Sequence, residues 1–174
     1  MRVFTSVASV FLIFSSSALA QEPNRSRGQG YFFFALGMGD NGPEGRGHQY
    51  QPDIHLGAGG EGFIYKGLGV GAELGPFFPT KTGSPFSGWS DWAEGLGSAN
   101  LSYHFLPDTI DRKFEPFVTA GYSLFFRAGT FNGYNGGGGV NVWMNKNAAL
   151  RFEGRFHVAY EHHFAGFRIG MTFR

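Results

Sequence analysis

The chain has 174 residues, with 14 basic and 13 acidic side chains, no cysteine, and an excess of glycine (29) and phenylalanine (21). So even a balance excludes a nucleic-acid binder, which carries a clustered basic surplus. Without thiols there are no disulfide staples and no thiolate metal site. Rich in glycine and aromatics and poor in apolar helical stretches, the chain reads as all-β.

Residues 1–20, MRVFTSVASVFLIFSSSALA, have the three parts of a secretion signal. Arg2 is the positive start, Val7 to Phe14 the apolar run, and Ala18-Leu19-Ala20 a small-x-small cleavage site. The run is too short for a spanning helix, which takes ~20 residues. Cleavage after Ala20 is therefore expected, then a short N-terminal segment over 21–29 and one domain over 30–174. Taking twenty of the 174 residues away leaves 154 and removes Arg2, so the formal charge falls from +1 to zero.

The expected strands follow in chain order. Tyr31 to Met38 is apolar on both faces and is placed as a strand by its length and its aromatics. In 53–64, Ile54, Leu56 and Ala58 alternate with His55, Gly57, Gly59 and Glu61. In 68–78, Leu68, Val70, Ala72 and Leu74 alternate with Gly69, Gly71, Glu73 and Gly75. In 96–105, Leu101, Tyr103 and Phe105 alternate with Asn100, Ser102 and His104. In 116–127, Val118, Ala120, Tyr122, Leu124 and Phe126 oppose Thr119, Gly121, Ser123, Phe125 and Arg127. In 136–144, Val140, Val142 and Met144 flank Asn141 and Trp143. The clearest is 148–159, where Leu150, Phe152, Phe156 and Val158 share one parity and Arg151, Glu153, Arg155 and His157 the other. In 164–173, Phe167, Ile169, Met171 and Phe173 alternate with Arg168, Gly170 and Thr172. Successive side chains of an extended chain point to opposite faces, so each strand has one greasy and one polar face.

Eight segments of this length suit a membrane barrel, whose strands take ~9–11 residues, better than a soluble sheet with strands of ~5–6. The links support this. Residues 39–52 and 79–95 are long and polar, whereas Tyr65-Lys66-Gly67 and Asn145-Lys146-Asn147 are tight. That is the asymmetry of an outer-membrane barrel with both termini in the periplasm. Residues 106–115 and Glu161 to His163 fit the pattern less well.

Gly57, Gly59 and Gly62 match the spacing G-x-G-x-x-G of a dinucleotide loop. That loop needs a following helix N-terminus to supply free N–H groups. Here a turn and a second alternating strand follow, so the glycines read as a barrel wall. Glycine on the inner parity leaves room for arginines and for Phe125 or Trp143 in a lumen just wide enough for side chains.

Alternation leaves two orientations. A soluble, lipocalin-like carrier would turn its apolar parity inward around a ligand; a membrane barrel turns it outward. Glycine on the polar face favours the membrane barrel. So do the aromatics near strand ends (Phe77, Phe78, Phe105, Phe117, Phe126, Tyr160, Phe164), which are expected to form the interfacial girdle. The lumen would then hold Glu61, Glu73, Arg127, Arg151, Glu153, Arg155, His157 and Arg168. Mixed charges in a narrow, low-dielectric space should pair, since an unpaired one costs several kcal/mol. A selectivity lining for a pore is the alternative.

With these features the chain resembles the small outer-membrane β-barrels of the OmpA/OmpX-like family. The resemblance covers most of the mature chain and is strongest in GGGGVNVWMNKNAALRFEGRFHV (136–158) and FRIGMTF (167–173). It implies a closed eight-stranded antiparallel transmembrane β-barrel, an up-and-down meander in the bacterial outer membrane. The implied surroundings are outer-membrane lipid and lipopolysaccharide, with a monomeric state and no cofactor. Phe167, Ile169, Met171 and Phe173 would form the terminal signal read by the barrel-assembly machinery, although Arg174 displaces the final aromatic by one place.

Lipid A deacylases of this shape also resemble the chain around the seventh strand, where they carry His-x-Ser-Asn. The matching residues here are His157, Val158, Ala159 and Tyr160, so the nucleophilic serine is replaced by alanine. An acyl-transfer mechanism then lacks its attacking group, and no catalytic residue is expected. Glu161, His162 and His163 could ligate a metal only if a tight loop made adjacent residues converge; otherwise they form a polar hairpin tip. Trp89 and Trp92 are candidate contacts for an unknown surface ligand, or else they pack the loop onto the rim. The expected role is structural or surface-interacting, through 39–52 and 79–95.

Overall fold

The computed structural model describes residues 28–40, 50–79, 93–105, 113–126, 130–159 and 162–174. Eight antiparallel strands run β1 Gly28–Asp40, β2 Tyr50–Tyr65, β3 Leu68–Pro79 and β4 Glu94–His104, then β5 Phe114–Phe126, β6 Phe131–Trp143, β7 Ala148–Ala159 and β8 His162–Phe173. Each pairs with its neighbours in sequence, and β1 pairs with β8 from Gly30↔Phe173 to Asp40↔His163, closing the cylinder. Closure matters physically, because it leaves no row of unpaired backbone groups at a sheet edge.

Every expected strand is present, most within three residues of the expected bounds; β6 is the exception, beginning at Phe131 rather than at 136. β2 is the longest, at 16 residues, and shifts register between Phe63 and Tyr65. The β2–β3 hairpin closes on two residues, Lys66 with φ 37° and Gly67 with φ 89°. Positive φ at both central positions is the turn whose twist matches its strands, and glycine takes the second at no steric cost. In the β6–β7 connection the Asn145 side-chain oxygen accepts from the backbone N–H groups of Asn147 and Ala148, both at 2.9 Å. This is the local bonding that makes asparagine a turn residue.

One parity of each strand faces out. Phe34, Leu36, Leu74, Leu101, Val118, Phe156, Phe167 and Ile169 are all exposed, among many other large apolar side chains. The other parity fills the interior, where Arg151, Glu153, Arg155, His157 and Arg168 are at most 3% exposed. β1, whose orientation its own sequence left open, turns Tyr31, Phe33 and Ala35 inward and Phe32, Phe34, Leu36 and Met38 outward.

Three aromatics expected in the interfacial girdle are not there. Phe77, Phe117 and Phe164 are 5%, 2% and 4% exposed and point into the lumen. Each lies on the polar parity of its strand, and parity, not distance from the strand end, decides which way a side chain points. Phe105 and Phe126 do lie on the outer face, Phe78 is half-buried, and Tyr160 lies outside the described residues. The inner-wall glycines also accommodate different partners from those expected. A Cβ on Gly57 would lie 2.5 Å from the Phe33 ring and one on Gly59 2.8 Å from the Tyr31 ring. The wall is glycine there so that two inward rings can lie against it.

Candidate functional site: a lumen filled by an alternating chain of charge

The two ends of the barrel differ. One, the short-turn end, carries the β2–β3 and β6–β7 turns, the link after β4, and the start of β1 with the end of β8. The other carries the long connections after β1 and β3 and is called the long-loop end.

Just inside the long-loop end, Phe77, Leu96, Phe125, Ala159 and Phe164 form one apolar cluster across the lumen. Their rings meet edge to face, Phe77 with Phe125 at 5.7 Å and with Phe164 at 5.1 Å between centroids, a geometry that rings favour. Each comes from a different strand, so together they bridge the cylinder.

Apart from Asp53, which is buried nearer the long-loop end, the lumen charges lie below this layer and alternate in sign without a break. Arg168 donates from Nη1 to both oxygens of Glu73, at 3.0 and 3.1 Å. Glu73 Oε2 lies 3.7 Å from Arg155 Nη2. Arg155 Nε donates to Glu153 at 2.5 Å, and Arg151 Nε donates to the other oxygen of Glu153 at 3.1 Å. Arg151 Nη1 is 3.5 Å from Glu61. His104 then sits between two carboxylates, with Nε2 3.1 Å from Glu61 and Nδ1 2.8 Å from Glu115. Since both ring nitrogens face acceptors, each needs a proton to donate. Arg174 closes the series on Glu115 at the short-turn end.

Aromatic faces sheathe the cations. The Arg151 guanidinium lies 4.0 Å from the Phe117 ring centroid and 4.4 Å from that of Tyr31. Arg168 lies 4.2 Å from Phe33, and Arg174 3.8 Å from Trp143. Neutral donors complete the carboxylates: Gln29 and Ser102 on Glu61, Tyr31 on Glu73, and Asn141 and Trp143 on Glu115. A buried ion pair is tolerable only when its remaining lone pairs and protons are met in this way.

Of the sequence-derived lumen candidates, Glu61, Glu73, Arg151, Glu153, Arg155 and Arg168 are therefore linked in one chain. His157 joins from the side, 3.0 Å from Arg168 Nη2. Arg127, Trp89 and Trp92 lie outside the described residues, as do Glu161 and the side chain of His162; His163 is exposed. Among the described residues no three acidic, histidine or cysteine side chains converge as a metal site. Phe167, Ile169, Met171 and Phe173 line the outer face of β8.

Sequence reasoning missed His104, Glu115, Tyr31 and Arg174. His104 was on the polar parity of its strand, which was the available signal. Glu115 falls, by its sequence, in the link before the fifth strand, and Arg174 lies just past the end of β8.

Ser123 was also missed, and it bears on catalysis. Its Oγ is 2.9 Å from His157 Nδ1, the separation of a nucleophile and its base. The other ring nitrogen decides the matter. Arg168 can only donate, so Nε2 must accept and Nδ1 must carry the proton. Ser123 thus receives a hydrogen bond from His157 and a second from Asn135 Nδ2 at 2.9 Å, leaving its own proton for Ser98 Oγ at 3.0 Å. His157 has no free lone pair to take the Ser123 proton.

This is a closed, up-and-down, eight-stranded barrel of the kind found in bacterial outer membranes. Neisserial surface protein A superposes with a TM-score of 0.61 at 15% identity, over 85% of this chain and 97% of that one. The outer-membrane protein OprG of Pseudomonas aeruginosa gives 0.55 at 13% identity, over 86% and 96%. The N-terminal β-barrel domain of OprF, also from Pseudomonas aeruginosa, gives 0.52 at 15% identity, over 83% and 97%. At such identities the likeness is one of fold. No protein-family model matches the chain, and no curated protein does.

Proposed function

We propose that the protein is a non-catalytic integral barrel of the bacterial outer membrane. It anchors residues 39–52 and 79–95 at the cell surface, where they carry a structural or binding role. One observation supports this above the others: a lumen filled with paired charge inside a wall whose outer face is apolar. A soluble carrier of apolar ligands would need the reverse, and a conducting pore would need its lining charges free to meet passing ions. Here the charges are taken up by one another, and an aromatic layer lies across one end.

The hydrogen bonding of His157 and Ser123 favours this reading over a lipid-modifying enzyme, and so does alanine at position 159. Residues 1–20 would direct export, and the outer face of β8 would be read during assembly.

Fractionation tests the location. The protein should need detergent for extraction and should migrate more slowly on a gel after heating than before. Release with the soluble periplasmic contents would defeat the reading. Grafting 39–52 and 79–95 onto an inert barrel tests the role, because a surface ligand of the native protein should follow the grafted loops.

A further inference from the structure

The short-turn end carries a ring of lysines. Lys66 lies in the β2–β3 turn, Lys113 just before β5 and Lys146 in the β6–β7 turn, and all three are exposed. They stand at three of the four stations around this rim; the fourth holds Arg174, which is turned inward onto Glu115. The one described acidic residue at this end, Glu115, is buried and fully engaged. The undescribed link 106–112 adds Asp108, Asp111 and Arg112, and residues 21–27, which lead into β1, add Glu22, Arg25 and Arg27, which leaves the end positive. The connections at the other end lean the opposite way, with Asp40, Glu44, Asp91, Glu94 and Glu161 against Arg46, Lys81 and Arg127.

Each lysine adjoins outward apolar side chains. Lys66 follows Tyr65, which is 61% exposed, and its ammonium lies 5.3 Å from the Tyr65 ring centroid. Lys113 precedes Phe114, also 61% exposed, and Lys146 comes two residues after Met144, 54% exposed. A cation one or two residues beyond an apolar belt sits where hydrocarbon gives way to headgroups, and its flexible stem lets the ammonium reach the phosphate plane.

We propose that this rim is a binding surface for anionic phospholipid headgroups, with Lys66, Lys113 and Lys146 each contacting a phosphate in the leaflet on the short-turn side. The proposal rests on the membrane reading above. The short connections favour lipid over a polymer further out: a two-residue turn holds Lys66 at the strand end and projects nothing beyond the headgroup layer.

The test uses the full mature chain refolded into vesicles of phosphatidylcholine in which one lipid in four is phosphatidylglycerol. The lipids retained after mild detergent extraction are then measured by mass spectrometry. The wild type should hold phosphatidylglycerol enriched at least about threefold over the bulk, since each lysine near an anionic surface adds a comparable factor. The triple variant Lys66→Gln, Lys113→Gln, Lys146→Gln should return the ratio to that of the bulk. Heat-dependent gel migration of both proteins is read in the same samples. If both insert and the wild type shows no enrichment, or the variant keeps it, the lysine rim is refuted while the barrel stands. If the wild type does not insert, both readings fall together.

Discussion

Glu153 is the residue on which the lumen turns. It stands between Arg151 and Arg155 on the same strand and receives a hydrogen bond from each. Alternate positions of a strand share a face, so Arg-x-Glu-x-Arg was legible in the sequence as three charges side by side. The far partners were not, because Glu61 and Glu73 come from β2 and β3, across the cylinder, and only barrel closure brings them in. Replacing Glu153 by Gln leaves two guanidinium groups without their shared counter-charge. Breaking a buried pair in this way costs about 3–5 kcal/mol. Urea unfolding from vesicles of phosphatidylcholine alone should show a loss of that order, whereas Lys146→Gln on the exposed rim, with no anionic lipid to bind, should stay within about 0.5 kcal/mol. Equal, small changes for the two would mean that the lumen charges are solvated rather than paired.

At the scale of the strand, alternation was a sufficient guide wherever polar and apolar residues took turns, as in β5 and β7. β1 shows where it fails. Tyr31, Phe33 and Ala35 differ little in polarity from Phe32, Phe34 and Leu36, so its own sequence does not say which set turns inward. The neighbouring strand decides: Gly57 and Gly59 of β2 pair with Phe33 and Tyr31, and both lack the side chain that would collide with an inward ring. The same reasoning explains Phe77, Phe117 and Phe164, where closeness to a strand end was a weaker signal than parity. Two substitutions separate crowding from mere loss of glycine. In Gly59→Ala the new methyl would lie 2.7 Å from the Ala72 carbonyl oxygen and 2.8 Å from Tyr31, while in Gly30→Ala the nearest atom is 3.8 Å away. Overpacking of this kind costs about 1–3 kcal/mol, so Gly59→Ala should lower the urea midpoint and Gly30→Ala should leave it nearly unchanged. Indistinguishable midpoints would show that the inward rings are not held against that wall.

For the whole molecule, the sequence carried the number of strands, their order and the inequality of the two ends, because each is written in local alternation and link length. Which loop meets which ligand is not written that way, since a binding surface depends on how distant loops come together. Everything proposed for the protein depends on which face of the cylinder meets hydrocarbon. The native chain contains no cysteine, so single cysteines can be placed at Leu101, Val118, Phe152, Phe156 and Ile169 and nitroxide-labelled in lipid vesicles. Collision with dissolved oxygen, which concentrates in hydrocarbon, is then compared with collision against a water-soluble nickel chelate. An apolar face in hydrocarbon gives high oxygen and low nickel accessibility at all five positions, greatest near mid-strand. Nickel accessibility exceeding that of oxygen at Phe152 and Ile169 would contradict this and place the apolar face in water.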